Sequence, residues 1–405
     1  VPALTVTPGT AFGIYVHVPF CASRCGYCDF NTYTPGELDG ATPDGWLEAL
    51  RIELARAAAE LGSVRVDTVF VGGGTPSLLG AERLGAVVGA VTADFALADG
   101  AEITTEANPE STSPGFFDAI RAAGFTRVSL GMQSAAPRVL AVLDRTHSPG
   151  RATAAAREAV AAGFEHVSID LIYGTPGESD DDLLRSLDCA LDTGADHLSA
   201  YALVVEDGTA LARRVRRGQI AAPDDDTLAH RYRLLDRRLN QAGFDWYEVS
   251  NFSRPGGQCR HNLGYWNGGQ WWGAGPGAHG FVGDIRWWNV KHPGAYAELL
   301  AQGRAPVAGF ERLDDRARHF EEVLLGIRLR EGLAVAALSE SERRRAATAR
   351  RDGLLVADAD RLVLTDRGRL LADAVVRDLL DDVESPEHRR WHSTDSGANP
   401  AAGDP

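Results

Sequence analysis

The chain has 405 residues, 44% hydrophobic and 24% charged, enough for a sizeable core and about two domains of ordinary soluble composition. Its 56 acidic against 41 basic residues leave a net charge of −15, which argues against general affinity for nucleic acid or anionic lipid. No apolar run reaches the ~18 residues of a membrane span, and residues 1–10 lack the basic start and apolar core of a signal peptide, so a cytoplasmic protein is expected.

From residue 12 to about 203, β-branched apolar runs alternate with Ala-rich segments of helical spacing. Strands are predicted at 13–18, 67–71, 102–105, 127–130, 166–171 and 197–202. Helices are predicted at 46–61, 83–91, 114–123, 151–162 and 181–192. This rhythm predicts an α/β fold with a parallel sheet and crossover helices. Six units suggest an open six-unit (β/α) partial TIM barrel, although pattern alone leaves a doubly wound order open. Polar and Gly-rich punctuation follows the strands: the cysteine loop after the first, then Gly72-Gly73-Gly74-Thr75-Pro76, Glu106-Ala107-Asn108-Pro109, Gly131-Met132-Gln133-Ser134 and Asp170-Leu171-Ile172-Tyr173-Gly174. In a barrel these strand ends share one mouth, where function collects.

Further along, a helix is predicted around 224–242 and a short strand at 244–249. Residues 246–288 hold six of the eight Trp in the chain, with ten Gly between Gly256 and Gly283. Beyond 313 come charged amphipathic helices at 316–329 and 341–351 and a hairpin at 354–365, a winged-helix-like arrangement. The organisation read from this is a 12–250 (β/α)6 domain, a 251–310 connecting segment, a 311–384 C-terminal domain and a 385–405 tail expected to be disordered. A winged-helix-like portion with the basic run Arg343–Arg345 raises a nucleic-acid-binding module, but the overall acidity favours a solvated helix face.

Cys21, Cys25 and Cys28 stand in one short loop. Three thiolates can hold three corners of a cubane [4Fe–4S] cluster and leave the fourth iron open to an exchangeable ligand. A zinc ribbon needs a second Cys-x-x-Cys clip, yet Cys189 and Cys259 stand alone. A disulfide framework does not suit five cysteines in so long a chain.

This Cys-x3-Cys-x2-Cys loop after a first strand, with Tyr27 just before the last cysteine, resembles the radical S-adenosylmethionine (SAM) superfamily over roughly residues 12–250. The resemblance implies a (β/α)6 domain whose open iron binds the amino and carboxylate groups of SAM. A flavodoxin- or ferredoxin-type protein would supply the electron. Candidate SAM contacts are Tyr15, Tyr27, Gly72, Gly73, Gly74, Thr75, Glu106, Gln133, Arg145 and Asp170. The bare glycines allow close backbone approach, or else mark a tight turn. Glu106 and Asp170 are carboxylates on apolar strand ends, costly there unless paired, with Arg145 a possible partner. Gln133 offers a donor and an acceptor, while Tyr15 reads equally as a core aromatic.

Residues 15–21, 72–76 and 170–174 and the Trp-rich segment together resemble the subgroup of oxygen-independent coproporphyrinogen III dehydrogenase (HemN) and the HemW haem chaperones. The dehydrogenase carries a further cysteine two positions after the third ligand, where Phe30 stands here, and a longer N-terminal extension than the 20 residues preceding Cys21. Conversely, His261-Asn262-Leu263-Gly264-Tyr265-Trp266 is similar to the His-Asn-x-x-Tyr-Trp signature of the chaperones. The chaperone resemblance implies haem contacts at His261, Asn262, Tyr265 and Trp266, and transfer of haem to acceptor proteins, with membrane association only through a partner. Oxidative decarboxylation of coproporphyrinogen III is the alternative. His261 also reads as a loop-fixing residue, and Cys259 as a second ligand, an attachment point or a small buried residue.

Overall fold

The structure is a computed structural model and describes residues 2–145 and 147–380. Six strands, β1 (Phe12–Val18), β2 (Arg65–Gly73), β3 (Ala96–Ala107), β4 (Arg127–Gln133), β5 (His166–Tyr173) and β6 (His197–Ala202), lie side by side in sequence order and run parallel. A doubly wound sheet would reverse its order at a switch point, so sequential order selects the open barrel. Helices between the strands pack on the outer face, where Ile14, Val16, Val69, Val71, Val128 and Ile169 join one core. Near-continuous burial along β1 and β4 follows from covering both faces of a parallel sheet.

Local chemistry sets the helix ends. Thr42 accepts from the Gly45 N–H ahead of Pro43–Leu61, and Ser179 and Asp182 form a capping box opening Asp180–Leu191.

Past β6, the strands β7 (Asp245–Glu248) and β8 (Asn251–Ser253) close one edge antiparallel. After the helix Arg260–Trp266, β9 (Gln270–Ala274) pairs parallel with β1 at the opposite edge. The strands β10 (His279–Val282), β11 (Ile285–Asn289) and β12 (Val307–Arg312) then continue antiparallel. The chain therefore spans the whole sheet between β8 and β9, and the helix 260–266 makes that crossing through its interior. Alternation along β9 divides the tryptophans. Trp271 faces Tyr265, with ring centroids 4.5 Å apart, whereas Trp272 turns to the helix-covered face and packs 4.9 Å from Trp287.

Residues from 323 to 380 form a separate core around a small sheet of β13 (Leu333–Ala334), β14 (Leu355–Asp358) and β15 (Arg361–Leu364), as the C-terminal pattern implied. It docks on the β7 edge. The Arg330 N–H donates to the Tyr247 carbonyl at 2.9 Å, and buried Arg369 pairs with both Asp236 oxygens at 2.9 Å beneath the Trp246 ring. The tail at 385–405 lies outside the described residues.

Candidate cofactor site at the strand ends

β1 runs into the cysteine loop, and Cys21, Cys25 and Cys28 are free thiols, partly exposed. Neighbours clamp the loop closely. The Gly26 N–H donates to the Leu143 carbonyl at 3.1 Å, and its own carbonyl accepts from the Leu211 N–H at 2.7 Å. A Cβ on Gly26 would fall 2.3 Å from the Asp144 carboxylate oxygen, so any larger residue would have to push that side chain aside. Among the described residues no three His, Cys, Asp or Glu side chains converge on one point as around a single ion. A cubane makes a different demand, one thiolate per iron on separate corners, and a loop of three free cysteines suits it. Burial raises the Cys28 thiol to about 11 and that of Cys21 as well, so protons must leave when metal binds.

Arg145 supplies positive charge against this loop. Its guanidinium donates to Cys25 Sγ at 3.2 Å and to the Gly131 carbonyl at 3.3 Å, linking the loop to the end of β4. There the register slips between Gly131 and Gln133, and Gln133 is held buried at φ +65°. A non-glycine residue in that region stores strain, which persists where the surroundings impose it.

The glycines of β2 are pinned from both sides. Gly73 has φ +110°, and a Cβ there would lie 2.6 Å from the His17 ring; on Gly74 it would lie 2.6 Å from the Phe20 carbonyl. The N–H groups of Gly74 and Thr75 donate to Val18 and Phe20 carbonyls at 2.7 and 2.8 Å, and that of Gly73 to Glu106 at 3.0 Å. The Gly-rich turn thus zips onto the entry to the cysteine loop, and Thr75 Oγ1 reaches Cys21 Sγ at 3.5 Å. The N–H groups of this turn are therefore committed within the fold.

Glu106 and Asp170 face the same mouth. Burial, then the charge of Asp170, pushes Glu106 up to about 8, and burial pushes Asp170 to about 6 despite hydroxyl donation from Ser129 at 3.1 Å. Among the described residues no ion pair joins either acid to Arg145; the guanidinium acts on Asp170 only through its field. Two carboxyls held toward their neutral forms are suited to a cationic ligand. Tyr15 lies over Phe70, with ring centroids 6.2 Å apart, and its hydroxyl donates to His17 Nδ1 at 3.0 Å. Tyr27 turns instead into a small apolar cluster with Val139, Ile172, Leu203 and Leu211.

The signature helix Arg260–Trp266 sits deeper, on the interior of β1 and β2. Two buried carboxylates hold it. Glu102 accepts from the N–H groups of Arg260 and His261 at 3.2 and 3.0 Å, and pairs with Arg127 at 3.0 Å. Glu248 accepts from the Asn262 amide at 2.6 Å and from the Trp266 indole. His261 is 4% exposed, with Nδ1 2.8 Å from Thr68 Oγ1 and Nε2 2.8 Å from the Tyr265 hydroxyl. Burial lowers its pKa to about 4, so the ring is neutral. A ladder of rings, Tyr15, Phe70, His261, Tyr265 and Trp271, runs from the mouth to this floor.

Several residues of the site escape a sequence reading. His17 Nε2 donates to the Asn31 carbonyl at 2.8 Å, and the Asn31 amide donates to the Pro276 and Lys291 carbonyls at 3.0 and 2.9 Å. Gly277 is bare because a Cβ would lie 2.5 Å from that amide. Glu53, buried and raised to about 7 by burial, accepts from Gly275, Asn289 and Tyr296. The available signals were an arginine inside an apolar strand (Arg127) and the Gly275-Pro276-Gly277 turn.

Residues 15–190 match the Radical SAM superfamily and residues 313–371 the HemN C-terminal domain. Over 379 residues, 94% of this chain and 97% of the relative, the sequence is 69% identical to the heme chaperone HemW of Mycobacterium tuberculosis (strain ATCC 25618 / H37Rv). It is 36% identical to the heme chaperone HemW of Escherichia coli (strain K12), covering 76% of this chain and 82% of that one. Among solved structures, coproporphyrinogen III oxidase (HemN) from Escherichia coli superposes with a TM-score of 0.79 at 22% identity, covering 92% of this chain and 91% of the other, which shows the shared fold.

Proposed function

This chain belongs to the HemW family of radical SAM proteins, and on that premise we propose that it is a haem chaperone of the cytoplasm. In this reading it binds haem alongside a SAM-coordinated [4Fe–4S] cluster and passes the haem to acceptor proteins. The observation that carries it is the 69% identity to a heme chaperone HemW across nearly the whole chain.

Cys21, Cys25 and Cys28 would hold the cluster, which when bound would supply a binding point for the amino acid end of SAM and the electron for cleaving its sulfonium bond. The chain's own residues orient the ligand. The carbonyls of Gly72–Gly74 and the carboxyls of Glu106 and Asp170 receive the ammonium and ribose hydroxyls. Gln133, Tyr15 and Thr75 line the same mouth, Tyr27 backs the loop, and Arg145 balances thiolate charge.

His261 is the iron contact. In the tautomer whose Nδ1–H donates to Thr68, the lone pair sits on Nε2, and Tyr265 would have to release that nitrogen before iron could take it. Asn262 and Trp266, both committed to Glu248, hold the helix that presents the ring. Phe30 stands exposed in place of the further cysteine of the dehydrogenase, which favours the chaperone over oxidative decarboxylation.

Anaerobic reconstitution with iron and sulfide, followed by haem titration, tests the proposal. A Soret shift is expected in the parent, a lost or altered one in His261→Ala, and haem uptake in the Cys21/Cys25/Cys28→Ala triple variant without cluster absorbance. An identical Soret shift in His261→Ala removes the haem assignment. Catalytic formation of protoporphyrinogen from coproporphyrinogen III overturns the chaperone reading.

A further inference from the structure

We propose that the arginine face of helix Ala210–Arg216, continued by Arg217, is the docking surface for a small acidic one-electron carrier protein that reduces the cluster. This rests on the cluster reading above and adds the place of electron entry. Residues 211–220 contain four arginines and no acid, in a chain whose acids outnumber its bases by 56 to 41. Arg213, Arg216 and Arg217 are exposed. Arg216 meets only the outer, exposed Asp207 at 3.4 Å, and Arg217 has no ion pair among the described residues. A loose surface pair of that kind is worth little and leaves the positive field largely intact.

Position gives this charge its meaning. The Leu211 N–H donates to the Gly26 carbonyl inside the cysteine loop, and the Leu211 side chain packs in the cluster that Tyr27 joins. Arg214 clamps from the other side, donating to the Val142 carbonyl at 2.9 Å and lying 3.7 Å from Asp144, the residue against which Gly26 is pressed. The basic helix is therefore built onto the loop that carries the thiolates. That loop is open on its outer edge: Ala22, Ser23, Arg24, Asp29 and Phe30 are exposed. A carrier seated on the arginines would approach the cysteine loop from outside, without entering the mouth reserved for SAM. Opposite charge steers such encounters and raises their rate. One electron passes from the carrier, which is oxidised, to the cluster, which is reduced from its 2+ to its 1+ state.

The test uses the reconstituted full chain and flavodoxin hydroquinone as the probe, with cluster reduction followed by stopped-flow and flavodoxin binding by calorimetry. In the parent, raising salt from ~0.01 to ~0.1 M shortens the screening length from roughly 30 to 10 Å and slows reduction. In Arg213→Glu/Arg216→Glu/Arg217→Glu, reduction at low salt falls about tenfold or more, its salt dependence flattens or inverts, and binding weakens in parallel. Arg343→Glu/Arg350→Glu, two exposed arginines of the C-terminal domain, changes neither. Photoreduced 5-deazaflavin, small and uncharged in its reactive ring, reduces all variants alike. Equal flavodoxin rates in parent and triple variant, or a loss of haem uptake in place of reduction rate, overturn the docking surface. Failure of the parent to assemble any cluster instead removes the reading on which it rests.

Discussion

Arg145 donates a hydrogen bond to the sulfur of Cys25 while gripping the carbonyl of Gly131, so one guanidinium joins the cysteine loop to the strained end of β4. Hydrogen bonds and nearby charge tune iron–sulfur potentials. Arg145→Gln therefore lowers the midpoint potential of the reconstituted cluster, on the order of 60 mV, the equivalent of a tenfold change for one electron. A redox titration monitored by electron paramagnetic resonance reads the shift, and an unchanged potential shows the guanidinium to be purely mechanical.

Glu106 keeps its proton to about pH 8 in the fold, against an unfolded carboxyl value near 4.3. Between those values the native state binds more protons than the unfolded one, so stability falls as pH rises. Glu106→Gln raises the melting temperature of the ligand-free protein at pH 8 by at least ~2 °C, and by nothing near pH 4. A cationic ligand favours the ionised acids, so SAM affinity rises from pH 6 to 8 and binding releases protons. Calorimetry in buffers of differing ionisation enthalpy counts them; no proton release contradicts the placement of SAM beside Glu106 and Asp170.

Gly73→Ala tests the zip between β2 and the cysteine loop. The substitution forces a Cβ against His17 at a φ of +110° and costs roughly 1–3 kcal/mol. Iron content after reconstitution falls together with thermal stability, while Gly89→Ala, in open space inside the helix Gly80–Asp94, leaves iron content unchanged and raises thermal stability slightly.

Glu102 and Arg127 are 2% and 1% exposed at their side chains. Glu102→Ala strands a buried cation and unpins the N–H groups of Arg260 and His261, a loss of about 3–5 kcal/mol in denaturant titrations. The arginine and those N–H groups hold the Glu102 carboxyl below its usual range. Its contribution is therefore present above the unfolded pKa and fades as pH falls below it. A Glu102→Met/Arg127→Met pair is milder than the single change if burial of an unpaired charge is the cause.

Local patterns revealed much of this protein. Short β-branched apolar runs between segments of helical spacing announced six strands and their helices, because a parallel sheet covered on both faces needs strands that are apolar almost throughout. The spacing of Cys21, Cys25 and Cys28 was itself legible, since one loop suffices to bring three thiols near one another. Glu106 and Asp170 stood out as charges on apolar strand ends, where desolvation makes an idle carboxylate costly.

Other features became visible only once the chain had folded back on itself. Asn31 and Pro276, Glu53 and Tyr296, and Glu102 and His261 meet because β9 returns to pair with β1, and no local period encodes which distant edge a strand will choose. The tryptophan-rich stretch divides between the interior and the helix-covered face by strand register, decided by the pairing of β9 with β1. Sequence alone determined three cysteines in one loop and the parallel architecture; tertiary packing decided that His261 is sealed between Thr68 and Tyr265. A signature can name the ring, but only the surrounding hydrogen bonds show that both of its nitrogens are engaged inside the fold.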